Sequence, residues 1–206
     1  MSDMEQKNAA LQELAQIKYS SHGGAAVFPI CMKVMSEYLE KDREVLQQAA
    51  CVLGRWVERF YAKDIQIYDT WHDMLLNESL YVSHLNTDEC DTTDPVDADL
   101  YSRLPVQKDV IQDLIDDRNQ EAKYLLELAV RQKEGDNTQL ERAARHFQKV
   151  SAYAEEILYL IGEWPDTDAM HRHLADWKVR EELAKLVLYA KAEDVAALGY
   201  LNKYLQ

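Results

Sequence analysis

The chain has 206 residues, a net charge of −14 and 47% hydrophobic residues, with only six glycines and four prolines. A chain of this length can bury a sizeable core, and so few turn-forming residues exclude a sandwich or barrel of many short β-strands. The composition therefore predicts one all-helical domain that spans residues 1–206.

Hydropathy and cysteine usage indicate where the protein resides. The apolar runs are far shorter than the roughly 20 residues that a membrane-spanning helix needs, and residues 1–20 carry no signal-peptide pattern. Cys31, Cys51 and Cys90 are widely spaced and form no CxxC pair, which disfavours a disulfide framework and a zinc site. We expect a cytoplasmic protein with no metal or other cofactor, in which Cys31 and Cys51 are buried thiols.

Apolar residues at intervals of three and four predict four helices before residue 86. Their predicted bounds are 2–18, 28–39, 45–60 and 64–85. Within the third helix, Gly54 is unfavourable, and close approach of a neighbouring helix would offset its cost. In the fourth helix, residues 77–79 weaken the pattern and favour a break.

The segment from Asn86 to Leu104 reads NTDECDTTDPVDADLYSRL and concentrates negative charge. We predict a loop over 86–104, because Pro95 disfavours a continuous helix through it. Its carboxylates are Asp88, Glu89, Asp91, Asp94, Asp97 and Asp99.

Four further helical patterns follow the acidic segment. Their predicted bounds are 105–134, 138–161, 167–190 and 195–205, with Pro105 in the first turn of the fifth helix. The short connections favour antiparallel packing of consecutive helices. The predicted architecture is a compact antiparallel bundle of about seven helices, with an acidic loop between the fourth and the fifth.

The negative charge is regional. Residues 64–117 contain fourteen acids and only Arg103 and Lys108 as bases. The acidic residues of the fifth helix stand opposite its apolar stripe, at spacings where like charges repel. They are Asp109, Asp113, Asp116 and Asp117. Such a surface disfavours direct binding to nucleic acid or to an anionic membrane, and it predicts a partner protein with a basic surface.

Catalytic motifs give little support for an enzyme. The sequence lacks paired Glu-x-x-His motifs, a phosphate-binding GxxxxGK[ST] loop, a GxSxG elbow and an HExxH pair. A site assembled from separate helices leaves no local signature, and its candidate residues are His72, Asp73, Glu78 and His84.

The sequence therefore predicts a non-enzymatic interaction protein of the inhibitor, immunity or assembly-adaptor type. Two alternatives remain open: a nucleic-acid mimic that inhibits a DNA- or RNA-binding protein, and a small helical enzyme. The predicted partner-binding residues are the six carboxylates of the acidic segment, the four aspartates of the fifth helix and Tyr101. Tyr68 and Tyr81 are further candidates for aromatic anchors.

Overall fold

The computed structural model describes residues 3–17, 24–39, 41–59, 63, 65–82, 95–132, 137–163 and 167–206. These residues form nine α-helices, and none of them lies in a β-strand. The helices are α1 (Asp3–Gln16), α2 (Gly24–Tyr38), α3 (Arg43–Arg59), α4 (Gln66–Leu76), α5 (Ser79–Val82), α6 (Pro95–Arg131), α7 (Thr138–Ile161), α8 (Thr167–Ala175) and α9 (Trp177–Leu205). The predicted all-α fold is confirmed.

The helices are distributed over two compact units. The first unit comprises Met1–Ile65, Asp117–Gln148 and Glu193–Gln206, and the second comprises Gln66–Asp116 and Lys149–Ala192. Each unit therefore contains a segment of α6, of α7 and of α9. The single domain expected from the sequence stays a prediction.

In the first unit, Phe28 of α2 is fully buried between two other aromatic rings. Its ring centre is 5.4 Å from that of Trp56 on α3 and 6.2 Å from that of Phe147 on α7, the latter in an edge-to-face arrangement. Tilted and edge-to-face pairs of this kind add to the stabilisation that apolar burial provides. This aromatic cluster joins α2, α3 and α7 within a core to which α1, α6 and α9 also contribute buried residues.

In the second unit, the buried side chain of Arg180 on α9 joins the ends of other helices. Its guanidinium donates hydrogen bonds of 2.8 to 3.1 Å to the backbone carbonyls of Leu75, Leu174 and Ala175. These carbonyls lie in the last turns of α4 and α8, where helical carbonyls lack partners within the helix. The ring of Tyr81 on α5 packs 4.4 Å from the same guanidinium. A single arginine thus holds α4, α5 and α8 against α9.

Several predicted bounds agree with the structure. Helix α7 spans the predicted residues and ends before Gly162, whose positive φ of 72° glycine adopts without steric cost. The predicted break in the fourth helix is present between α4 and α5. There the side-chain oxygen of Asn77 accepts a hydrogen bond of 3.2 Å from the backbone N–H of Ser79.

The start of the helix after the acidic segment differs from the prediction. Helix α6 begins at Pro95, ten residues before the predicted start, and contains Pro105. Proline has a φ suited to the first helical turn, and the N–H that it lacks would have no intrahelical partner there, so Pro95 opens a helix. The loop predicted over 86–104 is therefore wrong from residue 95 onward, and residues 86–94 lie outside the described residues.

The bounds of the last two predicted helices are also wrong. Helix α8 ends at Ala175, and α9 continues without interruption to Leu205. Asp176 lies between them, and its Oδ1 accepts a hydrogen bond of 2.9 Å from the backbone N–H of Lys178. An aspartate in this position caps the start of a helix, and this signal places the boundary at residue 176.

Two expectations for α3 are wrong as well. Cys51 is exposed, because the core-facing positions of α3 are Ala49, Val52 and Leu53. A Cβ atom at Gly54 would meet no heavy atom of the described residues within 4 Å, so none of the helices that the structure describes approaches it closely. Cys31 is buried as predicted, and burial raises the pKa of its thiol to about 12.

Candidate interaction surface

The net charge is divided unequally between the two units. The second unit contains twenty acidic and eight basic residues, whereas the first contains seventeen acidic and fifteen basic residues. Of the total charge of −14, the second unit therefore carries −12. The charge excess that the sequence places in the middle of the chain coincides largely with one compact unit.

Three aspartates of α6 form an exposed row in the second unit. Asp109, Asp113 and Asp116 are exposed, while Ile111 and Ile115 on the opposite face of the helix are buried. None of the three aspartates forms an ion pair with a residue that the structure describes. The apolar stripe of α6 thus turns the aspartates toward solvent, as the sequence predicts.

The remaining aspartate of the predicted row, Asp117, is also exposed but belongs to the first unit. Asp116, the last acid of α6 in the second unit, accepts a hydrogen bond of 3.1 Å from the side-chain amide of Gln112. This contact adds no positive charge. No described cation therefore neutralises the three aspartates of this row.

Four described bases of the second unit are engaged within that unit. Lys108 donates a hydrogen bond to the backbone carbonyl that follows α7, and Arg180 donates to the helix ends described above. Lys191 forms an ion pair with Asp69, and Lys185 lies 3.4 to 3.8 Å from two glutamates of its own helix. These four cations are bound to partners other than the aspartate row of α6.

The other predicted partner-binding residues lie at or beyond the edge of the described residues. Asp97, Asp99 and Tyr101 lie in the first two turns of α6. The four acids that precede them lie outside the described residues: Asp88, Glu89, Asp91 and Asp94. Their participation in binding stays a prediction.

The suggestion that Tyr68 and Tyr81 are aromatic anchors is wrong, because both side chains are buried. Burial raises the pKa of the Tyr81 hydroxyl, and the nearby Arg180 opposes that rise. The exposed aromatic side chains in the described part of the second unit are instead Tyr159, at 83%, Tyr189, at 52%, and Trp177, at 43%. The position of a tyrosine along a helix does not by itself show whether the side chain is exposed or buried, because tyrosine suits both the core boundary and the surface.

A buried charged cluster in the first unit has no counterpart in the sequence analysis. Arg118 donates to both carboxylate oxygens of Asp194, at 2.7 and 2.9 Å, and to Glu121 at 2.8 Å. Its guanidinium also lies 5.3 Å from the centre of the Phe147 ring. Burial raises the pKa of Glu121 to about 7, a rise that the positive charge of Arg118 opposes and that the carboxylates of Asp194 and Asp117 reinforce.

This cluster has the geometry of a structural ion pair. Arg118, Glu121 and Asp194 are each less than 10% exposed, and each hydrogen bond satisfies a group of the cluster itself. The spacing of Arg118 and Glu121 along one helix was visible in the sequence. Asp194 is 76 residues away from Arg118, so no local pattern could indicate it.

The residues suggested for an enzyme do not assemble into a site among the described residues. His72 lies 3.0 Å from the carboxylate of its neighbour Asp73, on the surface of α4, and Glu78 is exposed. His84 lies outside the described residues. No group of three or more histidine, cysteine, aspartate or glutamate side chains in the described part of the chain is arranged to hold a metal ion.

Comparison of the chain with protein-family models, curated proteins and solved structures finds no match. The described helices include none that combines the length and apolar character needed to cross a membrane. The candidate surface therefore rests on the charge distribution of the chain and on the geometry given above.

Proposed function

We propose that this chain is a non-enzymatic interaction protein, of the inhibitor, immunity or assembly-adaptor type, that binds a basic surface on a partner protein. The observation that carries the proposal is the confinement of a net charge of −12 to the second unit. Charge complementarity on this scale raises the rate of association and selects cationic partners.

The aspartate row of α6 supports this proposal. Asp109, Asp113 and Asp116 are exposed without an ion pair to any described residue, and like charges at such spacings repel one another by a few tenths of a kcal/mol per pair. A basic partner surface would relieve that repulsion.

We also propose a cytoplasmic location, because Cys51 is an exposed free thiol, a group that persists in a reducing compartment.

The test is a pull-down with the tagged full chain at 50 and 200 mM NaCl, followed by mass spectrometry and calorimetric titration of the recovered partner. We expect the affinity to fall by roughly tenfold or more between the two salt concentrations, because salt screens exposed charges. The triple variant D109N/D113N/D116N should bind more weakly at the lower concentration and respond less to salt.

The matched control is E13Q/E37Q/E58Q, which removes three exposed charges from the first unit. Both variants change the net charge by the same amount, so a general charge effect would weaken binding equally. The proposal fails if the partner binds the aspartate variant as tightly as the unmodified chain, or if added salt leaves the affinity unchanged.

The aspartate row also favours a narrower function, inhibition of a nucleic-acid-binding protein by mimicry. Successive helical turns are about 5.4 Å apart, so carboxylates at 109, 113 and 116 are spaced similarly to the phosphates of a nucleic-acid strand. Competition tests this alternative. Excess DNA or RNA should displace a mimic from its partner, whereas an adaptor would stay bound.

A further inference from the structure

Two tyrosines of the second unit lie side by side at the surface. The ring centres of Tyr153 on α7 and Tyr189 on α9 are 5.6 Å apart, and the ring planes are inclined by 43°. Tyr153 is half-buried and Tyr189 is 52% exposed. We name Tyr153 and Tyr189 the tyrosine pair.

Elsewhere in the protein, aromatic rings are covered by arginines of the chain itself. In three such contacts, the guanidinium carbon lies between 4.4 and 5.6 Å from the ring centre. These contacts are Arg118 with Phe147, Arg142 with Tyr200, and Arg180 with Tyr81. Among the described residues, no lysine or arginine lies over either ring of the tyrosine pair. The pair therefore leaves an aromatic surface that a cation from another molecule can cover.

Charged side chains of both signs flank the tyrosine pair on both helices. Glu156 follows Tyr153 by three residues and Glu182 precedes Tyr189 by seven, so each acid shares a helix face with its tyrosine. Both glutamates are exposed. Lys185 lies 3.4 Å from Glu182, whereas Glu156 forms no ion pair with any residue that the structure describes. Exposed lysines also lie one helical turn before the two tyrosines, at Lys149 and Lys185, so the immediate surroundings carry charges of both signs. The net charge of −12 on the second unit is what favours a positively charged ligand.

We propose that the tyrosine pair anchors arginine side chains of a basic protein partner. This inference rests on the proposed function, since it names the side chain through which a cationic partner would contact the second unit. A planar guanidinium stacks on an aromatic ring and can also donate two parallel hydrogen bonds to a carboxylate. The compact, strongly hydrated ammonium of lysine lacks this combination, so the pair should prefer arginine.

The experiment compares two labelled peptides, nona-arginine and nona-lysine, which carry the same charge. Fluorescence anisotropy with the full chain gives the dissociation constant of each peptide at 50 and 150 mM NaCl. A cation over an aromatic ring contributes about 0.5 to 2 kcal/mol, so we expect nona-arginine to bind about 2-fold to 30-fold more tightly than nona-lysine.

Substitution of the pair should weaken this preference. In Y153A/Y189A, the preference for nona-arginine should fall at least twofold, while the response to salt is retained. Y153F/Y189F should keep the preference, because it keeps both rings. The control Y159A removes a more exposed tyrosine of the same helix and should also leave the ratio unchanged. If circular dichroism shows that Y153A/Y189A does not fold, Y189A alone should reduce the ratio at least twofold.

The outcomes separate this inference from the proposed function. Equal affinity for the two peptides, or an arginine preference that is undiminished in Y153A/Y189A, would overturn the anchor and leave the acidic surface untouched. Conversely, if D109N/D113N/D116N binds both peptides as the unmodified chain does, the proposed aspartate surface fails, while the ratio still reports on the tyrosine pair.

Discussion

At the scale of single residues, two buried arginines are held in different ways. Arg180 donates to the carbonyl groups of helix ends, which carry partial negative charge, whereas Arg118 is paired with two carboxylates. Removing a charged group from either site leaves buried partners unsatisfied. Both residues are therefore expected to matter for stability and to have no direct role in binding.

The substitution Arg180→Leu should destabilise the protein by about 3 to 5 kcal/mol, because it leaves the carbonyls of α4 and α8 without a donor. Arg172→Leu is the control. It replaces an exposed arginine of α8 and should change the free energy of unfolding by at most about 0.5 kcal/mol. Urea unfolding at pH 7 measures both, and a loss below about 1 kcal/mol for Arg180→Leu would contradict this account.

The raised pKa of Glu121 predicts how stability depends on pH. Between its ordinary value of 4.5 and its folded value of about 7, the folded state binds more protons than the unfolded state. The free energy of unfolding therefore falls as pH rises through this range. The stabilisation that protonation of Glu121 provides is fully present below pH 4.5 and is lost above pH 7.

Glu121→Gln removes this titration while keeping an oxygen that can accept from Arg118. Between pH 4.5 and 8, the free energy of unfolding of the variant should rise by on the order of 3 kcal/mol relative to that of the unmodified chain, since each pKa unit corresponds to about 1.4 kcal/mol. Urea unfolding across this pH range is the measurement. The exposed Glu127→Gln on the same helix should show no such gain, and parallel curves for Glu121→Gln and the unmodified chain would refute the assignment.

At the scale of the elements, apolar periodicity accounts for which helices form and which faces they bury. In α3, Val45, Ala49, Val52, Leu53 and Trp56 are buried as their spacing requires. Capping residues and prolines decide where helices begin, as Pro95 and Asp176 show. Gly54 remains unfavourable in the middle of α3, because no described helix packs closely against it.

Gly54→Ala should therefore stabilise the protein by about 0.5 to 1 kcal/mol. Alanine has the higher helix propensity, and its Cβ would meet no described atom within 4 Å. Thermal unfolding followed by circular dichroism measures the change. Ala50→Gly in the same helix is the opposite substitution and should lower the melting temperature, whereas a lower melting temperature for Gly54→Ala would show that the glycine is required.

At the scale of the whole molecule, the informative property is the division of charge between the two units. The first unit is nearly balanced, and its buried arginine is matched by two carboxylates. The second unit is strongly acidic, and four of its described bases are engaged within it. Salt should therefore weaken partner binding through the second unit, as the triple aspartate variant is designed to test.

The sequence by itself determined the helical fold, the bounds of α7 and the exposure of Asp109, Asp113 and Asp116. Each of these depends on residues within a few helical turns, so local spacing contains the information. The same local patterns give wrong predictions at two positions: a loop through Pro95 and a buried side chain for Cys51. Proline permits both a break and a start, and a small apolar residue is compatible with either face of a helix.

Only the tertiary structure decided which distant residues meet. It brings Asp194 to Arg118, Leu75 to Arg180, and Tyr189 to Tyr153. These contacts join positions 36 to 105 residues apart in the chain. Their formation depends on how helices pack against one another, and the 3.6-residue period that specifies each helix carries no information about its neighbours.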